Sequence, residues 1–145
     1  MANLVVNPVK KKFLDADIDF LVDSFKVMFL NDSYTPNIDT DEFIDDVSAN
    51  EVAASGTYSA GGVALASVTT TVDTTNDRAY VDATDISVTS FTGSIRRLAL
   101  YKDTGTPSTS PIVGIYDLGS TVSPVAGTFS AAFAAAGSGG ALYLS

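Results

Sequence analysis

Histidine, cysteine and tryptophan are all missing from this chain of 145 residues. Without cysteine there is no disulfide framework and no thiolate ligand or nucleophile. Without histidine there is no imidazole metal site and no Ser–His or Cys–His pair. Charge is scarce as well, at 17% of residues, and it is lopsided, with 8 basic against 17 acidic side chains and a formal net charge of −9. That balance excludes a surface built to neutralise phosphates, so nucleic acid is not an expected partner. No apolar run approaches the roughly 20 residues that span a bilayer, and no membrane association is expected. The basic run at Lys10–Lys12 follows a short apolar patch, the reverse order of a secretory signal.

What is present is apolar and small. Hydrophobic residues make up 46%, and threonine and serine are abundant, a mixture that suits strands whose outer faces carry hydroxyls. The length suits one domain over 1–145. Residues 1–51 hold eleven acids against four lysines, a net of −7, while 52–145 hold six acids against four bases, a net of −2. From 104 to 145 the single charge is Asp117, so that stretch is expected either to be buried or to face a partner.

Asn7-Pro8 followed by Val9, Phe13 and Leu14 predicts a short helix with Asn7 as its N-cap and Lys10, Lys11 and Lys12 facing outward. Ser24–Leu30 predicts a strand covered on both faces, and Asn31–Asn37 a turn. Thr40 is expected to cap one helical turn over 41–47. From residue 63 short alternating runs follow: 68–73 and 78–82 as a hairpin, then 86–88, 93–102, 111–118, 127–133 and 141–144. The fold class is therefore mostly β. The expected architecture is a single-domain antiparallel β-sandwich or flattened barrel with one or two short helices near the N-terminus. It divides into an acidic part at 1–50 and a main strand region at 63–145.

Catalytic and ligand motifs fail one by one. Asp15-Ala16-Asp17-Ile18-Asp19 begins like a calcium loop, but Phe20 replaces the turn glycine and Lys26 the closing glutamate. A looser Ca²⁺ site built from these acids and Asp23 is the remaining metal reading. Asp39, Asp41, Glu42, Asp45 and Asp46 read as a solvated acidic face. Gly56–Gly62 lacks the lysine of a phosphate loop. No enzyme activity, cofactor or metal is expected. The candidate interface residues are Lys10, Lys11 and Lys12, the pair Arg96 and Arg97 (alternating to opposite faces of their strand, one of them meeting acids at the domain's own surface or on a neighbour), and the aromatic anchors Tyr101, Tyr116, Phe129 and Tyr143.

Three stretches carry a family likeness. Lys12–Asp19 leading into Asp23–Leu30, then Asp32–Pro36 and Glu42–Val47, is the first; Glu51-Val52 with Ser55–Val63 is the second. The third is Leu98–Gly105 with Thr109–Gly114. In this order they resemble a family of small structural proteins of tailed bacteriophages, and the likeness runs over nearly the whole chain, departing from the family pattern at Ala131–Gly140. The resemblance implies a virion component made in the host bacterial cytoplasm. It implies a homo-oligomer that binds the major capsid protein or other virion proteins, foremost as a capsid decoration (cement) protein. A tail, collar or head-fibre attachment protein is the alternative, and a carbohydrate-binding adhesion module a further one.

Overall fold

Phe25–Leu30 (β2) has five of its six residues buried. The computed structural model describes residues 2–133 and 142–144. In chain order the elements are β1 (Ala2–Leu4), α1 (Asn7–Leu14), β2, β3 (Val63–Ala64), β4 (Thr69–Asp73) and β5 (Arg78–Asp82). They continue with β6 (Ile86–Phe91), β7 (Ile95–Lys102), β8 (Ile112–Val122), β9 (Gly127–Ala131) and β10 (Leu142–Leu144). All strand pairs are antiparallel. The fold is mostly β with one α-helix near the N-terminus, in a single small domain.

The strands form a five-stranded sheet in the order β1-β8-β7-β2-β3, a three-stranded sheet β10-β5-β4, and a two-stranded ribbon β6-β9. Opposed residues share a face, so the pairs Val27↔Leu100 and Phe29↔Leu98 build one side of the main sheet. The ribbon packs there: Phe29 meets Phe91 at 6.0 Å and 88°, and Phe129 at 5.0 Å and 71°. Tyr58 stacks on the same ring at 4.4 Å. The opposite side carries Met28↔Ala99 and Lys26↔Tyr101. Ile44 and Val47, both buried, come from the 3-10 turns that follow Phe43, and a backbone bond from Ile44 N–H to the Ser110 carbonyl ties that segment down.

Several expectations change in detail. Val6, not Asn7, caps α1, because the Asn7 side chain donates to Asp39 Oδ1 at 2.6 Å and its N–H to the Ile38 carbonyl at 2.7 Å. Leu14 does not join the buried stripe; it is 89% exposed. Thr40 caps nothing. The residues it was expected to lead into form a 3-10 turn only from Ile44, because Asp41 is buried and accepts the Tyr34 hydroxyl at 2.6 Å and the Asn37 N–H at 2.7 Å. Asp46 then accepts the N–H groups of Glu42 and Phe43, both at 2.9 Å. β8 runs on through Gly119 and Ser120, where a turn was expected, to Val122. The Gly137–Gly140 turn lies outside the described residues.

Candidate interaction surface

The three lysines of α1 are held within the chain. Lys10 donates to Asn7 Oδ1 at 2.6 Å, Lys11 pairs with Asp15 one turn on, and Lys12 lies 3.1 Å from Glu42 and 5.0 Å above the Phe43 ring. Lys10 and Lys11 face outward as expected, whereas Lys12 is half-buried against Glu42 and the Phe43 ring, and two of the three positive charges are already matched.

The two arginines do not separate to opposite surroundings. Arg96 Nη2 lies 2.9 Å from Asp117 Oδ1, and Arg97 Nε lies 3.1 Å from Asp117 Oδ2. The register explains the convergence: Ile95 opposes Val122 and Arg97 opposes Asp117, so five steps on β8 face two on β7, and the ladder opens there. The Nε atoms of both arginines are buried without a hydrogen bond; Arg97 Nε is close to the carboxylate but poorly aligned with it, so that contact is an ion pair and no more. Arg97 also donates through Nη1 to the Tyr34 carbonyl. The amide of Gly119, then the two guanidiniums, hold the Asp117 carboxyl below its ordinary value against the opposing effect of burial.

Three of the aromatic anchors belong to the core, a correction to the interface reading. Tyr101 is 3% exposed, Tyr116 5% and Phe129 5%. Tyr101 sits on the covered side of β7, donates to the Gly61 carbonyl, and has its phenol pushed up to about 12 by burial, with the charges of Asp103 and Glu51 adding to it. Burial likewise raises the Tyr116 phenol. Alternation assigned these residues to strands but left open which of two covered faces each would meet. Tyr143 lies in β10 opposite Tyr80, and its side chain lies outside the described residues. None of the fully exposed large apolar side chains among the described residues is aromatic, while Phe13, Phe20, Phe43 and Phe133 are half-buried.

Exposed apolar character gathers elsewhere. A groove of about 260 Å³ has Phe13, Ile18 and Phe20 on one wall, and Thr70, Ala79, Tyr80 and Val81 of the β4–β5 hairpin on the other. Thr70↔Val81 and Val72↔Ala79 are opposed pairs, so one hairpin face carries Thr70, Val72, Ala79 and Val81 together. Val72 is 71% exposed, as are Leu21 at 69% and Val22 at 80% in the loop that supplies the other wall. That loop is held by hydrogen bonds. Asp23 Oδ2 accepts the Asp19 N–H at 2.8 Å, and Asp19 Oδ1 accepts the Leu21 N–H at 2.9 Å. Lys102 clamps it to the sheet, 2.8 Å from Asp23 and 2.7 Å from the Asp17 carbonyl.

The weakly charged stretch from 104 onward divides between the two expectations. Residues 110–116 are buried, while 104–109 and most of 119–128 are exposed without charge, Val125 at 81%. Among the described residues no cluster of three or more acidic side chains is placed to hold a metal. Asp19 and Asp23 of the calcium-like segment are engaged in the loop just described.

No family model, curated protein or solved structure matches this chain.

The groove was legible only in part. Phe20-Leu21-Val22, three apolar residues in a row between Asp19 and Asp23, break the pattern of a solvated acidic turn, and that is the signal to weigh. Nothing local announced that the β4–β5 hairpin would lie across from it.

Proposed function

We propose that this chain is a structural protein of a tailed-phage virion, a capsid decoration protein that binds the major capsid lattice as an oligomer. Membership of a virion is supported by the resemblance over nearly the whole chain. The binding role is supported by one observation above all: Leu21, Val22 and Val72 stand exposed on hydrogen-bonded elements beside an apolar groove. Apolar groups held in place beside a groove whose two segments are rich in acids mark a site that another protein dries.

The charge distribution supports the same role. Seven of the eight cations lie within 4 Å of an acid: Lys11, Lys12, Lys26, Lys102, Arg78, Arg96 and Arg97. The surface left over is mainly negative, which keeps free copies apart until they meet a lattice.

Copy number tests this directly. Quantitative mass spectrometry of purified particles of the encoding virus is expected to find the chain at a number comparable with the major capsid protein. A ring-sized number instead would assign it to tail, collar or head fibre, and absence from particles would end the proposal.

A further inference from the structure

β4 is an edge. β5 lies on one side of it and, among the described residues, no strand lies on the other. All of Thr69–Val72 is exposed, so the outward N–H and C=O groups form a template for one more strand. An added strand would set alternate side chains on the face of Thr70 and Val72, the face that lines the groove. The site thus has both parts that strand addition needs, a backbone ladder and a pocket for alternate side chains.

Charge selects the occupant. The two segments that build the site, 13–24 and 66–85, contain eight carboxylates (Asp15, Asp17, Asp19 and Asp23; Asp73, Asp77, Asp82 and Asp85) and one cation, Arg78, while Lys11 and Lys102 reach in from outside them to pair with Asp15 and Asp23. Arg78 lies 3.2 Å from Asp73. Asp17, Asp19, Asp77, Asp82 and Asp85 have no ion pair among the described residues. A second copy of this chain, at −9, is the wrong sign for such a rim, and two of the three lysines in its one dense basic stretch already have acidic partners.

We infer that the β4 edge and the groove beside it receive an extended segment of a partner protein, apolar at alternate positions and lysine- or arginine-rich between them. It adds to β4 as a further strand. This rests on the proposed function for the partner's identity, a virion protein such as the capsid subunit, but its geometry stands on the site alone.

The probe is a blocked peptide of alternating lysine and valine, with a peptide of the same composition arranged in two blocks as the control. The alternating peptide is expected to bind the full chain and slow amide exchange at Thr69–Asp73. The block peptide is expected to bind at least about tenfold more weakly. Thr70→Lys and Val72→Lys alter exposed positions, so the fold is retained, and each is expected to abolish the protection. Equal binding of both peptides would reduce the effect to bulk charge and overturn the inference. Protection elsewhere, or self-association that protects β4 without peptide, would overturn it too. Particle incorporation separates this from the reading it rests on. Incorporation that survives both substitutions removes the β4 site and keeps the virion role, whereas peptide binding by a chain never found in particles keeps the site and removes that role.

Discussion

Tyr58 shows how much one hydroxyl holds here. The β2 edge is paired with β3 only at Lys26 and Val27, and beyond that point the Phe29 N–H would face outward with no strand to accept it. Tyr58 Oη accepts it at 3.0 Å and donates to Glu51 Oε1 at 2.9 Å, and the same oxygen accepts the Gly61 N–H at 2.7 Å. Burial, and after it the Glu51 charge, raise the phenol well above its usual range although the bond from Phe29 opposes them, so it stays a neutral donor. Tyr58→Phe keeps the ring stack on Phe29 and strands a buried N–H, which is expected to cost about 1–3 kcal/mol. Glu51→Gln keeps an acceptor in place and is expected to cost less. Urea denaturation of both variants checks the ordering; equal losses would mean that the Glu51 charge, not the hydrogen-bond chain, carries the effect. None of this was legible in the sequence, where Tyr58 reads as one more residue of a glycine-rich loop.

At the scale of elements, the sequence was readable wherever a strand carries its own pattern. β2, the β4–β5 hairpin and β7 stand close to where alternation and turn residues put them, because their patterns are local. β1 and β3 were missed, being three and two residues long and defined by what they pair with. The arginine pair failed for a related reason: alternation holds along one strand, whereas the irregular register belongs to two. Gly119 inside β8, at φ +82°, was the mark of it. Gly62 is the clearest case of a residue chosen by a neighbour. At φ +95° a Cβ there would stand 2.3 Å from the Val27 carbonyl oxygen, so only glycine lets β3 approach β2. Gly62→Ala is expected to lose about 2–4 kcal/mol from combined backbone strain and crowding. Gly105, with φ +84° and open space around it, supplies the contrast, and Gly105→Ala is expected to lose only the backbone strain, about 1–2 kcal/mol. Matching losses in thermal or urea unfolding would show that crowding at Gly62 is relieved elsewhere.

For the whole molecule the question is which comes first on acidification, association or unfolding. Asp23, Asp73, Asp103 and Asp117 all have carboxyls held below the ordinary 3.8. At Asp23 burial is the largest influence and opposes the shift, and the hydrogen bonds from Lys102 and the Asp19 amide together outweigh it. Asn76 leads at Asp73, Lys26 at Asp103 and the Gly119 amide at Asp117. A depressed carboxyl binds its proton more readily in the unfolded chain, so the stability these groups contribute is complete above 3.8 and is lost as pH falls through their lower folded values. Net charge shrinks over the same descent as the remaining carboxyls protonate toward the sequence pI near 4.1, and the folded chain reaches neutrality somewhat lower because these four stay ionised. On that approach the molecule keeps its stabilising ion pairs while most of the repulsion that separates copies is lost, and Leu21, Val22 and Val72 remain exposed. Association of folded molecules is therefore expected near pH 4, before unfolding. Light scattering and far-ultraviolet circular dichroism followed along one acid titration will order the two events. Scattering should rise while the β signal is intact, and Val72→Lys, which removes an apolar contact and adds a positive charge, should reduce it. Loss of the β signal ahead of scattering would show that these carboxylates do not hold the fold in acid.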